Sequence, residues 1–105
     1  MDYPTTGFSE FNNAYNHTAL SISSTTSTTI LPALSTRTFA RFQNNGGNSI
    51  YLGFGVAAVK EKGFRLMPSE SVEFYGNKLY RGAINGISNT ASSAQKIVPF
   101  EGYIS

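Results

Sequence analysis

From residue 36 onward, apolar and polar positions alternate in short runs separated by turn formers. Thr36-Arg37-Thr38-Phe39-Ala40-Arg41-Phe42-Gln43 alternates enough for a half-buried strand. It runs into Asn44-Asn45-Gly46-Gly47-Asn48, five residues that tolerate positive φ. The next run, Ser49-Ile50-Tyr51-Leu52-Gly53-Phe54-Gly55, sets Ile50, Leu52 and Phe54 on one face. Together the two runs read as a hairpin. Gly53 and Gly55 fall on the opposite face, where a neighbouring element can approach the backbone closely.

The same punctuation continues. Residues 56–62 read as a loop tipped by Lys60-Glu61-Lys62. Gly63-Phe64-Arg65-Leu66-Met67 and Ser71-Val72-Glu73-Phe74-Tyr75 bracket Pro68-Ser69-Glu70, where Pro sets φ for the second residue of a turn. That pair is a second hairpin or a corner between sheets. Gly76-Asn77-Lys78 is another turn, and residues 79–87 give one or two short strands broken by glycines, with a bulge. Residues 95–104 supply a last strand, which Pro99 should confine to an edge or a bulge.

The leading 36 residues lack this regularity. Isolated Phe8, Phe11 and Tyr15 stand among turn formers, and they read either as anchors of an arm in a neighbour's pockets or as a disordered terminus. Residues 21–29 contain eight hydroxyl side chains, interrupted only by Ile22. Ser and Thr hydroxyls compete for backbone groups and Thr is branched at Cβ, so the run resists a helix. It reads as a strand leading into Ile30-Leu31-Pro32-Ala33.

Seven or eight short strands with turns between them make an all-β chain. The expected architecture is an antiparallel β-sandwich or small flattened barrel, with residues 1–36 as an extended N-terminal arm and first strand, and residues 37–105 as the sandwich body. The expected core is Phe39, Phe42, Ile50, Leu52, Phe54, Leu66, Val72, Phe74, Ile84, Ile87, Ile97 and Val98. A body this small buries only about 60% of its unfolded surface, so oligomerisation would help it.

Composition sharpens the fold class and removes chemistry. Of 105 residues only 14 are charged, whereas Ser and Thr number 23 and Asn 9, so polarity comes from hydroxyls and amides. Fourteen aromatics and 10 Gly favour strands over helical bundles. Absence of cysteine excludes disulfides, zinc ribbons and thiol nucleophiles. No apolar run approaches the roughly 18 residues of a membrane span, and no secretory signal is visible. Charge is uneven: −2 on residues 1–36, from Asp2 and Glu10, and +4 on the remainder. The basic residues are scattered singly, unlike the stripe of a nucleic-acid binder. No nucleic-acid or membrane partner is expected.

Catalytic readings fare poorly against counting. The single His17 and the single Asp2 both lie in the unpatterned leader, without the frame that a nucleophile relay needs. Glu70 and Glu73 are the only close carboxylate pair, one in a turn and the other on the following strand, and they read as a solvated rim. The 44–48 turn has carbonyls for a cation but no carboxylate. Phe39 and Phe42 interleaved with Arg37 and Arg41 could stack bases; inward Phe with Arg stems covering the sheet edge is the better reading. No catalytic residue, metal or cofactor is therefore expected.

One stretch points further. Arg41-Phe42-Gln43-Asn44-Asn45-Gly46-Gly47-Asn48-Ser49-Ile50-Tyr51-Leu52-Gly53-Phe54-Gly55, continued by Gly63-Phe64-Arg65-Leu66 and by Tyr80-x-Gly82-Ala83-Ile84, resembles small β-sandwich structural proteins of tailed bacteriophages. Val98-Pro99-Phe100-Glu101 is similar to the closing strand of such families, so the resemblance spans residues 37–101. It implies a non-enzymatic virion component: a capsid decoration (cement) protein, head fibre or tail-associated module. The implied partners are the major capsid protein or other virion proteins. A decoration protein would seat on the shell through its β-body and its arm, with Phe8, Phe11 and Tyr15 as partner-binding residues. It would assemble as a homo-oligomer, a trimer where the lattice offers three-fold sites. The alternative is a receptor- or glycan-binding module of a tail fibre or spike, with Tyr75, Tyr80 and Tyr103 stacking on sugars.

Overall fold

The alternating runs do form strands, and the turn residues between them mostly carry the chain from one sheet to another. A computed structural model describes residues 13–16, 19–90 and 95–104. Its strands are β1 (Asn13–Asn16), β2 (Leu20–Ser21), β3 (Thr28–Leu31), β4 (Arg37–Asn44), β5 (Ile50–Phe54), β6 (Phe64–Leu66), β7 (Ser71–Tyr75), β8 (Ile84–Ser88) and β9 (Lys96–Tyr103). A 3-10 turn, Gly76–Lys78, follows β7.

The strands make two antiparallel sheets that pack face to face. One runs β1-β9-β4-β7, with β2 also on β9, and the other runs β3-β8-β5-β6. Because β1 and β2 both pair with β9, they act as one interrupted first strand. Counted that way, the first strand pairs with the last, β3 with β8, β4 with β7 and β5 with β6. These nested pairs are the connectivity of a jelly roll. The expected all-β sandwich is what the chain adopts.

The inner faces meet in one cluster built on Ala40, Phe42, Ile50, Leu52, Leu66, Ile84 and Ile97, with Ile22, Ile30 and Leu31. Adjacent Ile30 and Leu31 are both buried because the β3 register slips between Thr29 and Leu31. A bulge turns two consecutive side chains towards one face.

Three expected core residues lie outside this cluster: Phe39 and Ile87 are buried and Val98 is half-buried, but on the outer faces of the sheets. Phe39 and Val98 alternate with Ala40 and Ile97 and so leave the first sheet by its outer face. Ile87 packs with Tyr51 and Ala58 in a small cluster on the outer face of the second sheet. The loop after β5 folds down over that face. A Cβ on Gly53 would lie 2.6 Å from the Val56 carbonyl oxygen, so glycine admits the close approach that the sequence suggested.

Two further expectations change. The boundary at residue 36 does not separate an arm from a body, since residues 13–31 contribute β1, β2 and β3 and three buried aliphatics. Nor does Pro99 put β9 at an edge: β9 lies between β4 and the first strand. The Asn45 N–H donates to the Lys96 carbonyl at 2.9 Å. That bond fixes the parity of the β4–β9 ladder, in which Phe42 and Pro99 form a non-hydrogen-bonded pair. The Pro99 nitrogen therefore faces the first strand, opposite the interval between the end of β1 at Asn16 and the start of β2 at Leu20. Its missing N–H removes no bond of the β4–β9 ladder.

Candidate interaction surfaces

Buried polar side chains are the first place to look for chemistry, because burial without a partner is costly. Arg37 is fully buried at the start of β4. Its Nε donates to Glu101 Oε2 at 2.9 Å, Nη1 donates to the carbonyls of Tyr80 (3.0 Å) and Gly82 (3.1 Å), and Nη2 donates to that of Pro32 (2.6 Å). The guanidinium thus ties β4 and β9 to two inter-sheet connections. From the sequence alone Arg37 is expected over a sheet edge; the fold buries it instead. A lone Glu in the apolar run of β9 was the available signal that a cation had to be inside.

A second polar cluster holds the opposite end. Asn44 and Gln95 are fully buried. Asn44 Nδ2 donates to the carbonyls of Asn48 and Leu66, at 2.8 and 3.1 Å, while its Oδ1 accepts from the Gly46 N–H and from Gln95 Nε2. Gln95 also donates to the Asn48 carbonyl and accepts from the Asn48 N–H. The Asn/Gly turn is braced by amides on both sides, and the Asn48 carbonyl that might have met a cation already accepts two bonds. Among the described residues no three His, Cys, Asp or Glu side chains come together as a metal site. Glu70 and Glu73 are engaged separately: Glu70 Oε1 accepts from the Met67 N–H at 2.7 Å, and Glu73 faces Arg41 at 3.9 Å.

With the buried polar groups serving the fold, the remaining candidates are surfaces. On the outer face of the first sheet Phe39, itself buried, stacks on Tyr75 (ring centroids 6.1 Å apart) and meets Phe100 edge-on (5.8 Å). The loop after β5 carries Val56 and Val59, 64% and 49% exposed. They help line a pocket of about 220 Å³ with Leu52, Gly53, Ala57 and Lys62. At the β6–β7 side of the sandwich, Phe74 packs edge-on against Phe54, Phe64 and Phe42 at 5.5–6.1 Å. Phe54, Phe64, Val72 and Phe74 remain only partly buried there.

The sequence-predicted partner residues are scattered. Phe8, Phe11 and His17 lie outside the described residues. Tyr15 is in β1 opposite Glu101, and its side chain lies outside the description. Of the tyrosines considered for sugar stacking, Tyr75 leaves the first sheet by its outer face and Tyr103 alternates to the other. Tyr80 sits in the β7–β8 connection against Phe54, with ring centroids 5.9 Å apart. The three rings share no face. The β6–β7 seam went unnoticed in the sequence because it depends on which strands become edges.

No protein-family model, curated protein or solved structure matches the chain.

Proposed function

We propose that this chain is a non-enzymatic structural component of a virion, a decoration protein seated on the outside of a phage shell as a homo-oligomer. The observation that carries the reading is the nested strand order, 1-9-4-7 facing 3-8-5-6. That connectivity recurs in viral capsid domains and lectins; the warrant is analogy of fold. The resemblance of residues 37–101 to phage structural proteins points the same way.

Two physical features suit the role. Arg37, Asn44 and Gln95 spend their hydrogen bonds inside the fold, which stiffens both ends of the sandwich. Uncharged outer surface, such as the Val56–Val59 loop, can be covered without stripping charges of water. The glycan-binding alternative would gain from a shared ring platform, which Tyr75, Tyr80 and Tyr103 do not form.

The test is localisation. Particles purified from the virus or lysogen that encodes the chain are probed by mass spectrometry and by antibody labelling under the electron microscope. Regular label over the shell is the expected result. Particles that lack the chain overturn the reading, and label confined to fibre tips moves it to the glycan-binding alternative.

A further inference from the structure

Every open sandwich must deal with its sheet edges, which offer unpaired N–H and C=O groups to any passing strand. Among the described residues three of the four sheet edges are irregular or short. The described pieces of the first strand, β1 and β2, pair with β9 in registers that differ by one. β3 carries a bulge, and β6 is three residues long. The fourth edge, β7, is five residues long and pairs with β4 in unbroken register.

The direction of its free groups can be read from one bond. The Asn44 N–H donates to the Glu70 carbonyl at 2.9 Å, and the Ser69 N–H donates to Asn44 in return. Alternation from there makes Val72 and Phe74 the residues that exchange bonds with β4. The N–H and C=O groups of Ser71 and Glu73 consequently point away from the sheet. On the inner side of the same edge lies the half-buried seam of Phe64, Val72 and Phe74. On the outer side stands the Glu73 carboxylate, whose link to Arg41 is long at 3.9 Å and about half exposed on both partners, so it is weak.

We propose that β7 is a docking edge for an extended segment of another protein, which adds as a further strand with Lys or Arg opposite Glu73 and an apolar residue on each side of that cation. Backbone bonds to Ser71 and Glu73 supply the register, and the flanking apolar side chains cover Val72 and Phe74. Charge selects the occupant. In the register that pairs all five residues of β7 with β7 of a second copy, Glu73 would face its own counterpart, and like charges directly opposite are destabilising. The inference goes beyond the virion reading and does not depend on it.

The experiment titrates the isotope-labelled full chain with the peptide acetyl-Ser-Thr-Val-Lys-Val-Thr-Ser-amide and follows amide shifts and hydrogen exchange. The expected result is shift and new protection at Ser71 and Glu73. The same peptide with Glu for Lys should bind about ten-fold more weakly, as one attractive cross-strand pair becomes repulsive. Glu73→Lys should reverse that preference. Glu73→Pro should abolish binding of both peptides without lowering the cooperativity of melting, because the lost N–H is not part of the β4 ladder. Equal affinity for the two peptides, shifts centred elsewhere, or no binding at millimolar peptide would overturn the proposal. A free chain that dimerises through these same amides would overturn it in favour of a second copy.

Discussion

The Arg37 guanidinium and the Glu101 carboxylate meet at 2.9 Å inside the sandwich, with side chains 0% and 8% exposed. The pair joins the first residue of β4 to β9, and the other guanidinium nitrogens reach three carbonyls in the connections around it. Arg81 closes the circuit by donating from Nε to the Arg37 carbonyl at 2.7 Å. Isolated buried charges are costly, and this cation is retained because nearly every donor has an acceptor.

Removing one partner should be far worse than removing both. Arg37→Met takes the guanidinium away from Glu101 and leaves three carbonyls without their donor, a loss of about 3–5 kcal/mol. For a domain of this size that lowers Tm by upwards of about 12 °C. The double variant Arg37→Met with Glu101→Leu should recover a good part of the loss. Urea unfolding of the two single variants and the double variant measures the coupling; additive losses would show that the pair is not a unit.

Gln95 should matter to a turn some fifty residues away. Gln95→Leu keeps the bulk but strips the Asn48 N–H of its acceptor and Asn44 Oδ1 of a donor. The expected cost is about 1–3 kcal/mol. Hydrogen exchange locates it: the Asn48 amide should open faster, while the Gly46 amide, held by Asn44 itself, should change less. Equal acceleration at both would mean the whole turn had let go.

Ser69 offers a gain. It sits at φ 64°, third in a turn closed by the Glu70 N–H on the Met67 carbonyl at 3.0 Å. That position favours glycine, and left-handed backbone strains other residues. Ser69→Gly should raise stability by about 0.5–1 kcal/mol, net of the extra freedom glycine has when unfolded. Gly63 makes the converse control: with φ 77° and a Cβ that would lie 2.5 Å from the Leu52 carbonyl, Gly63→Ala should cost about 1–3 kcal/mol. Thermal melts of the two variants moving in the same direction would refute the backbone argument.

What could be read in the sequence follows from the range of the physics involved. Alternation and turn residues act locally, so the runs around Phe42, Leu52 and Phe74 were recognisable as strands and Gly53 as a point of close approach. Non-local decisions were not. Phe39 and Phe42 look alike in sequence, but a spacing of three sends them to opposite faces of β4. Pro99 looks like an edge residue until its nitrogen is seen to face away from β4. Arg37 reads as surface charge until the fold brings in Glu101, sixty-four residues later. The candidate surfaces depend most on pairing order, and so were least legible.

The leading segment supplies the last prediction, because low charge and weak patterning hid its structural part. β3 is the outer partner of β8, and Ile30 and Leu31 are buried in the main core with Ile22. Deleting residues 1–36 removes all three side chains and uncovers one side each of β8 and β9. Each lost aliphatic is worth about 2–5 kcal/mol when truncated in place, so the sum rivals the 5–15 kcal/mol that holds a typical domain together. That variant should show no cooperative melt by circular dichroism. Deleting residues 1–12 leaves every described strand intact, and the melt should persist. The shorter deletion is therefore the one that can test whether Phe8 and Phe11 bind a shell: lost binding with a retained melt assigns them the contact, and unchanged binding removes it. A cooperative melt after the longer deletion would mean that β3 is dispensable and the sandwich begins at β4.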